Sequence, residues 1–163
     1  MHILPDFHGN RSPLADPEMK GSMVGLNLEA SKENLALIYL ATIQALAYGT
    51  KAIVDRLKSK GHRIDQVAIC GGLSQSPLYI QTTSDVLNVP VVKPHQSQSV
   101  LLGSAILAFA AAENVALVDA VEKMQGSGLT YQPDLSIQAF HRKKYQVFAA
   151  MTEDQLKYRT MMR

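Results

Sequence analysis

One cysteine, Cys70, is all the sulfur chemistry this chain has besides its methionines. A single thiol cannot close an internal disulfide, so the fold has to rest on a packed core, and a reducing, cytoplasmic setting is the expectation. Charge imbalance is also small. Sixteen Lys and Arg face fourteen Asp and Glu, a formal net charge of +2, which points to neither a nucleic-acid partner nor a membrane surface. Long apolar runs are missing too. Gln44, Tyr48 and Gly49 interrupt the most apolar stretch, and without about eighteen uninterrupted apolar residues no membrane span is expected. The opening MHILPDFHGNRSP lacks the basic-then-apolar pattern of a leader. The five histidines, at 2, 8, 62, 95 and 141, have no metal-ligand spacing. There is no internal repeat and no low-complexity segment.

What remains suits one packed domain: 163 residues, 47% hydrophobic and 18% charged. Residues 5–22 are rich in Pro, Gly, Asp and Ser and read as a loop. Val24 to Leu28 fits a short strand. Ser31 is placed to cap a long helix over Lys32 to Lys60, with Glu33 in its first turn and Gly61 beyond its end. Leu35, Ile38, Thr42, Leu46, Gly49, Ile53 and Leu57 recur at helical spacing. Gly49 within that stripe implies close packing against a neighbour.

Val67 to Cys70 has the look of a strand covered on both faces. Ser76 and Pro77 then open a helix running to Leu87, which Asn88 ends. Val89 to Val92 fits a strand, at an edge or starting at Pro90. Residues 93–99 read as a polar loop, and Val100 to Glu113 as a closely packed helix of small residues. A shorter helix over Val118 to Met124, a loop GSGLTYQPD and a terminal helix over Ile137 to Met162 complete the chain. Ile137, Phe140, Tyr145, Phe148 and Leu156 are expected on the inner side of that last helix, and Arg142, Lys143, Lys144, Lys157 and Arg159 on its outer side. Strand, helix, strand, helix, strand, helix is the order of an α/β sheet with parallel strands and helices over both faces.

The chemistry concentrates at VAICGGLSQSP, residues 67–77. Ligands of open α/β sheets bind beyond the carboxyl ends of strands. Gly71 and Gly72 stand at such an end and let backbone approach a ligand. The helix after Ser76 points its free amides, and the positive end of its dipole, at the same place. A bound nucleotide is therefore one reading and a plain tight turn another. A third is a nucleophile elbow, since Gly72-Leu73-Ser74-Gln75-Ser76 matches G-x-S-x-G except at the last position and His95 follows the next strand. No acid or oxyanion loop accompanies it. Cys70 reads as a buried small hydrophobe, and His141-Arg142-Lys143-Lys144 as a solvated helix face.

Three segments in order, GNRSPLADPEMKGSMVGL (9–26), CGGLSQSPLYIQTTSDVLNVPVV (70–92) and VLLGSAILA (100–108), resemble the FGGY carbohydrate kinases. KKYQVF (143–148) is similar to the tail of their ribulose- and ribitol-type branch, that of the FGGY carbohydrate kinase domain-containing proteins. The resemblance implies an actin-like, ribonuclease-H-like α/β fold. Residues 1–163 would be an incomplete C-terminal kinase domain, with its nucleotide-side loop at 70–77 and its terminal helix at about 137–162. It implies transfer of the γ-phosphoryl group of Mg-ATP to a pentulose or pentitol, D-ribulose-like, with Gly71, Gly72 and Leu73 lending backbone to the nucleotide. Ser76 falls where many members carry an asparagine beside adenine. Gln98 falls where the branch carries glutamate, and Lys20 where many members carry arginine.

The family's phosphate loop, catalytic aspartate and most sugar contacts precede the region this chain resembles. Asp6, Asp16 and Glu18 do not match the catalytic aspartate, so no catalytic residue is assigned, and the chain alone is expected to be inactive. A non-catalytic actin-like binding module is the alternative. Absent neighbouring strands would leave an unpaired sheet edge, which favours association, a homodimer included.

Overall fold

The computed structural model describes residues 1–96 and 98–162. Ser97, in the loop expected over 93–99, and Arg163 lie outside the described residues. The chain opens with a strand the sequence reading passed over, β1 (His2–Leu4), paired antiparallel with β2 (Ser22–Val24). β2 lies earlier than the expected Val24–Leu28, because Gly25 turns the chain at φ +86. Between the two strands, residues 5–21 form a loop cross-tied by paired backbone bonds between Asn10 and Asp16.

Helix α1 (Lys32–Lys58) begins where expected, with the Ser31 hydroxyl accepting the Asn34 N–H. Its burial follows the expected face in part: of Leu37, Ala41, Ala45 and Ala52, expected to widen the stripe, Ala41 and Ala45 are buried and Leu37 is exposed. Ala41, Ile43, Gln44, Ala45, Ala47 and Tyr48 are buried, whereas Leu35 is 66% exposed. A Cβ added to Gly49 would meet nothing within 4 Å, so close packing does not explain that glycine. By length and composition α1 is apolar enough to cross a membrane, despite its polar interruptions. In the fold it packs instead against β1, α2 (Pro77–Leu87) and α5 (Gln138–Met161).

Strand β3 (Val67–Ala68) pairs in parallel with β4 (Val91–Pro94), and β4 pairs antiparallel with β5 (Gly128–Tyr131). The expectation of parallel strands thus holds for one pair. β5 occupies the segment read as a loop, and β4 is central, with Pro90 just before its start. Register shows which residues share a face. Val67, Val91 and Tyr131 are aligned across the three strands, as are Ala68, Val92 and Thr130. Val91 is fully buried, whereas Ala68 and Thr130 are exposed. Helix α2 packs on β4 and β5, while β3 and β5 leave the sheet with two edges. Coverage of β3 on both faces is therefore not met, and Cys70 is exposed rather than buried. α3 (Ser99–Glu113) packs chiefly on α4 (Leu117–Met124). Contrary to expectation α3 is not closely enclosed: only Ile106 of its residues is buried.

The main core joins Leu4, Met19, Ala47, Tyr48, Val86, Phe148 and Met151. On α5 the inward side carries the buried His141, Phe148 and Met151, with Tyr145, Thr152, Leu156 and Arg159 half-buried along the same face. Phe140 sits one position off this stripe and is 50% exposed. Lys144 and Arg159, expected outside, turn inward. Lys144 Nζ donates to Gln44 Oε1 at 2.6 Å, and the Arg159 guanidinium grips Asp16 with a two-pronged contact of 2.7 and 2.9 Å. His141 is buried, with its Nδ1 2.9 Å from the Tyr48 hydroxyl.

Two outcomes follow from this packing. Ile80 is fully buried, so Ile80→Ala should cost about 2–5 kcal/mol in denaturant unfolding. Burial, opposed by Asp85 and reinforced by Lys144, holds the His141 imidazole below its ordinary 6.5. The fold therefore favours neutral His141, and the unfolded chain takes up the proton first. Stability from this site is intact above pH 6.5 and drains away as pH falls below it. Melting temperature should drop on acidification from about pH 7 to about pH 5, less steeply in His141→Gln. Identical pH profiles for the two proteins would refute this account of His141.

Candidate functional site

The bend grows out of the end of β3. Ile69 N–H still reaches the Val92 carbonyl at 2.9 Å, and beyond it the strand stops. Gly71 adopts φ +87 and ψ −169, a conformation open essentially to glycine alone. It caps a short 3₁₀ turn over Gly72–Gln75. The bonds that close the turn run from Ser74 N–H to the Gly71 carbonyl and from Ser76 N–H to the Leu73 carbonyl, each 3.1 Å. The first amides of such a turn, those of Gly72 and Leu73, have no partner within it. Ser76 then caps α2, its hydroxyl accepting the Tyr79 N–H at 3.3 Å, with Pro77 at the first helical position as expected.

Space at the bend is open. A Cβ built on Gly71 or Gly72 meets nothing within 4 Å. Gly71, Gly72 and Leu73 are exposed and Ser76 is half-buried. Of the four residues singled out as nucleotide contacts, Gly71, Gly72 and Leu73 thus form an exposed rim beyond the carboxyl end of β3, and Ser76 is set back at the mouth of α2. Because β3 and β4 run in parallel, the loop after β4 leaves from the same end of the sheet. There an open pocket of about 350 Å³ is lined by Lys93, Pro94, His95, Ser127, Gly128 and Leu129. With 126–134 expected to be a loop, this pocket beside β5 was not foreseen. The apolar and β-branched residues Leu129, Thr130 and Tyr131 were its one signal.

The other candidates resolve on geometry. Ser74 is 4% exposed, and its Oγ donates to the Gly71 carbonyl at 2.7 Å. An elbow serine must display its hydroxyl to a base, so the hydrolase reading fails here. Asp6 accepts from Asn10 Nδ2, and Asp16 is engaged by Arg159 and the Glu18 N–H. Both fasten the 5–21 loop. Lys20 is exposed, and Gln98 stands at the start of α3 without a side-chain capping bond. No group of three His, Cys, Asp or Glu among the described residues is placed to hold a metal ion.

Residues 1–112 match the C-terminal domain of the FGGY family of carbohydrate kinases. An FGGY carbohydrate kinase domain-containing protein of Xenopus laevis is 45% identical over 163 residues, 99% of this chain and 30% of its own length. A D-ribulokinase of Saccharomyces cerevisiae is 34% identical over 110 residues, 67% of this chain and 15% of its own length. This chain therefore spans less than a third of the curated relatives it matches. Among solved structures, a ligand-bound xylulose kinase of Lactobacillus acidophilus superposes with a TM-score of 0.80 at 23% identity, over 94% of this chain and 31% of that one. A Plasmodium falciparum glycerol kinase with ADP gives 0.69 at 19% identity, over 93% of this chain and 30% of that one. The fold is the C-terminal portion of an actin-like sugar-kinase fold, and the chain belongs to the FGGY family of carbohydrate kinases.

Proposed function

We propose that this chain is the ATP-side portion of a cytoplasmic FGGY kinase that phosphorylates a pentulose or pentitol, D-ribulose-like in its carbon skeleton. The observation that carries the reading is the exposed Gly71–Gly72 backbone at the carboxyl end of β3, with the mouth of α2 beside it. Amides of Gly72 and Leu73 and the positive end of the α2 dipole suit a phosphorylated ligand, and the absence of a Cβ lets it come close. The names of the ribulokinase and xylulose kinase relatives support a five-carbon substrate.

Phosphoryl transfer from ATP to a hydroxyl needs the nucleotide positioned, Mg²⁺ across its phosphates and a group to take the hydroxyl proton. The described residues offer the first of these. With no metal-holding cluster among them, Mg²⁺ would arrive with the nucleotide. Asp6 and Asp16 are committed to the loop, and the buried Asp85 carboxylate already accepts from Gln81 and the Asp134 N–H. The 163-residue chain should therefore bind Mg-ATP without turning it over. The sugar would lie mostly against sequence outside this chain. Ser76, shorter than asparagine and lacking an amide, would cap α2 and leave adenine without a side-chain amide at that point.

Cys70 reports on this site directly, being the single cysteine and exposed next to Gly71. Saturating Mg-ATP should slow its reaction with a maleimide several-fold; an unchanged rate would remove the nucleotide from the bend. Two glycine substitutions separate fold from ligand. Gly71→Ala should lower stability by about 1–3 kcal/mol, because its backbone conformation excludes a side chain. Gly72→Ala, with open space around it, should leave the melting temperature unchanged and weaken ATP binding in calorimetry. Full ATP affinity in Gly72→Ala would count against close backbone approach.

A further inference from the structure

A second open pocket, of about 250 Å³, lies where the end of α2 meets the start of α5, with α1 along one side. Lys51, Asp85, Asn88, Gln138, His141 and Arg142 line it. Among the described residues one buried side-chain polar atom has no hydrogen-bond partner, and it belongs to this wall: Gln138 Nε2. Buried donors in folded chains are nearly always satisfied, by protein, water or a bound group. Arg142 is exposed, and among the described residues its guanidinium has no ion pair or hydrogen bond. The two side chains stand four positions apart in the first turns of α5, so they share one face of the helix. No side chain caps that helix start. A guanidinium fork, an amide N–H₂ and a helix N-terminus all call for oxygen that carries negative charge.

The remaining groups narrow the choice of anion. Lys51 is already paired with Asp55 at 3.0 Å. His141 turns its Nδ1 to the Tyr48 hydroxyl. The Asp85 carboxylate, which accepts from Gln81 and the Asp134 N–H, is the acidic member of the lining. A phosphate group, with a charge of about −1.5 to −2 at pH 7, would meet Asp85 with only Arg142 to offset it. A monocarboxylate balances Arg142 one for one. On the other side, the last carbonyls of α2 have no partners within the helix, and the Asn88 N–H is spent on the Ser84 carbonyl. Such acceptors suit hydroxyl groups. We propose that this pocket binds a small hydroxy-carboxylate, its carboxylate on Arg142 and Gln138 Nε2 and its hydroxyls toward the end of α2. The volume is below the roughly 300 Å³ at which pockets for drug-sized ligands begin, so a ligand of a few carbons fits. The eleven residues of α2 span about 16 Å, which puts this site and the glycine bend at opposite ends of the helix. Gln138, His141 and Arg142 also lie outside the stretch 1–112 that matches the family domain. The proposal therefore rests neither on nucleotide binding at the bend nor on family membership.

The test titrates the 163-residue chain at pH 7 with L-threonate, a four-carbon hydroxy acid, in a calorimeter. Erythritol, its uncharged counterpart, and inorganic phosphate are titrated beside it. Threonate should bind one to one with a Kd of about 1 mM or lower. No heat up to about 10 mM threonate would overturn the proposal. Erythritol binding as tightly would remove the carboxylate from the argument, and phosphate binding more tightly would refute the choice of a monocarboxylate. Arg142→Gln and Gln138→Leu should each weaken threonate at least about ten-fold. Neither should lower the melting temperature, since Arg142 is exposed and leucine at 138 strands no donor. Undiminished affinity in either variant would place the ligand elsewhere. As a readout independent of heat, threonate should raise the melting temperature of the unsubstituted chain and not that of Arg142→Gln; equal shifts in the two would overturn the assignment.

Discussion

Two polar side chains in the interior of α2 hold the region around the bend together. Ser84 is fully buried, with its Oγ 3.0 Å from the carbonyls of both Val89 and Tyr131. Asp85 accepts the Asp134 N–H and the Gln81 amide, each at 2.8 Å, and Gln81 also donates to the Gln132 carbonyl. A helix so placed cannot slide along the sheet without stranding buried polar groups, whose cost is that of desolvation without replacement. This bonding fixes the height of α2 against β4 and β5. The position of its first turn, and with it the shape of the glycine bend, follows.

The same constraint explains what could be read in the sequence and what could not. Helix starts and stops were legible because they depend on local chemistry. Ser31, Ser76 and Pro77 open helices as expected, and Asn88 closes one in the left-handed conformation. The bend was legible because a glycine pair after a β-branched run has few other uses. β5 was not, since the four residues from Gly128 to Tyr131 carry too little periodicity, and it is held by β4 and Ser84 from far along the chain. The inner side of α5 was misplaced for a related reason. Lys144 and Arg159 look solvent-bound until Gln44 and Asp16 are brought opposite them by the fold.

Burial was less legible than the helix ends. Composition makes α3 an interior helix, yet in the isolated chain it is flanked on one side only. The exposed start of α1, with Leu35, Leu37 and Tyr39 all more than half exposed, shows the same mismatch. Apolar pattern reports what a segment is suited to touch, and the identity of the contact comes from three dimensions. At the bend the mismatch runs the other way. Residues unremarkable in composition, Lys93, His95 and Ser127, come to line one pocket through the pairing of β4 with β5.

The fork between Arg159 and Asp16 joins residues 143 positions apart. In order of synthesis the loop over residues 5–21 precedes α5, and the clasp that anchors it does not exist until that helix has emerged. Non-local closures of this span are slow to form. Until then, the segment carrying the first family motif is tethered at its strands and unlatched at its middle. A newly made chain is consequently open to proteases and to wrong partners at this loop until α5 docks.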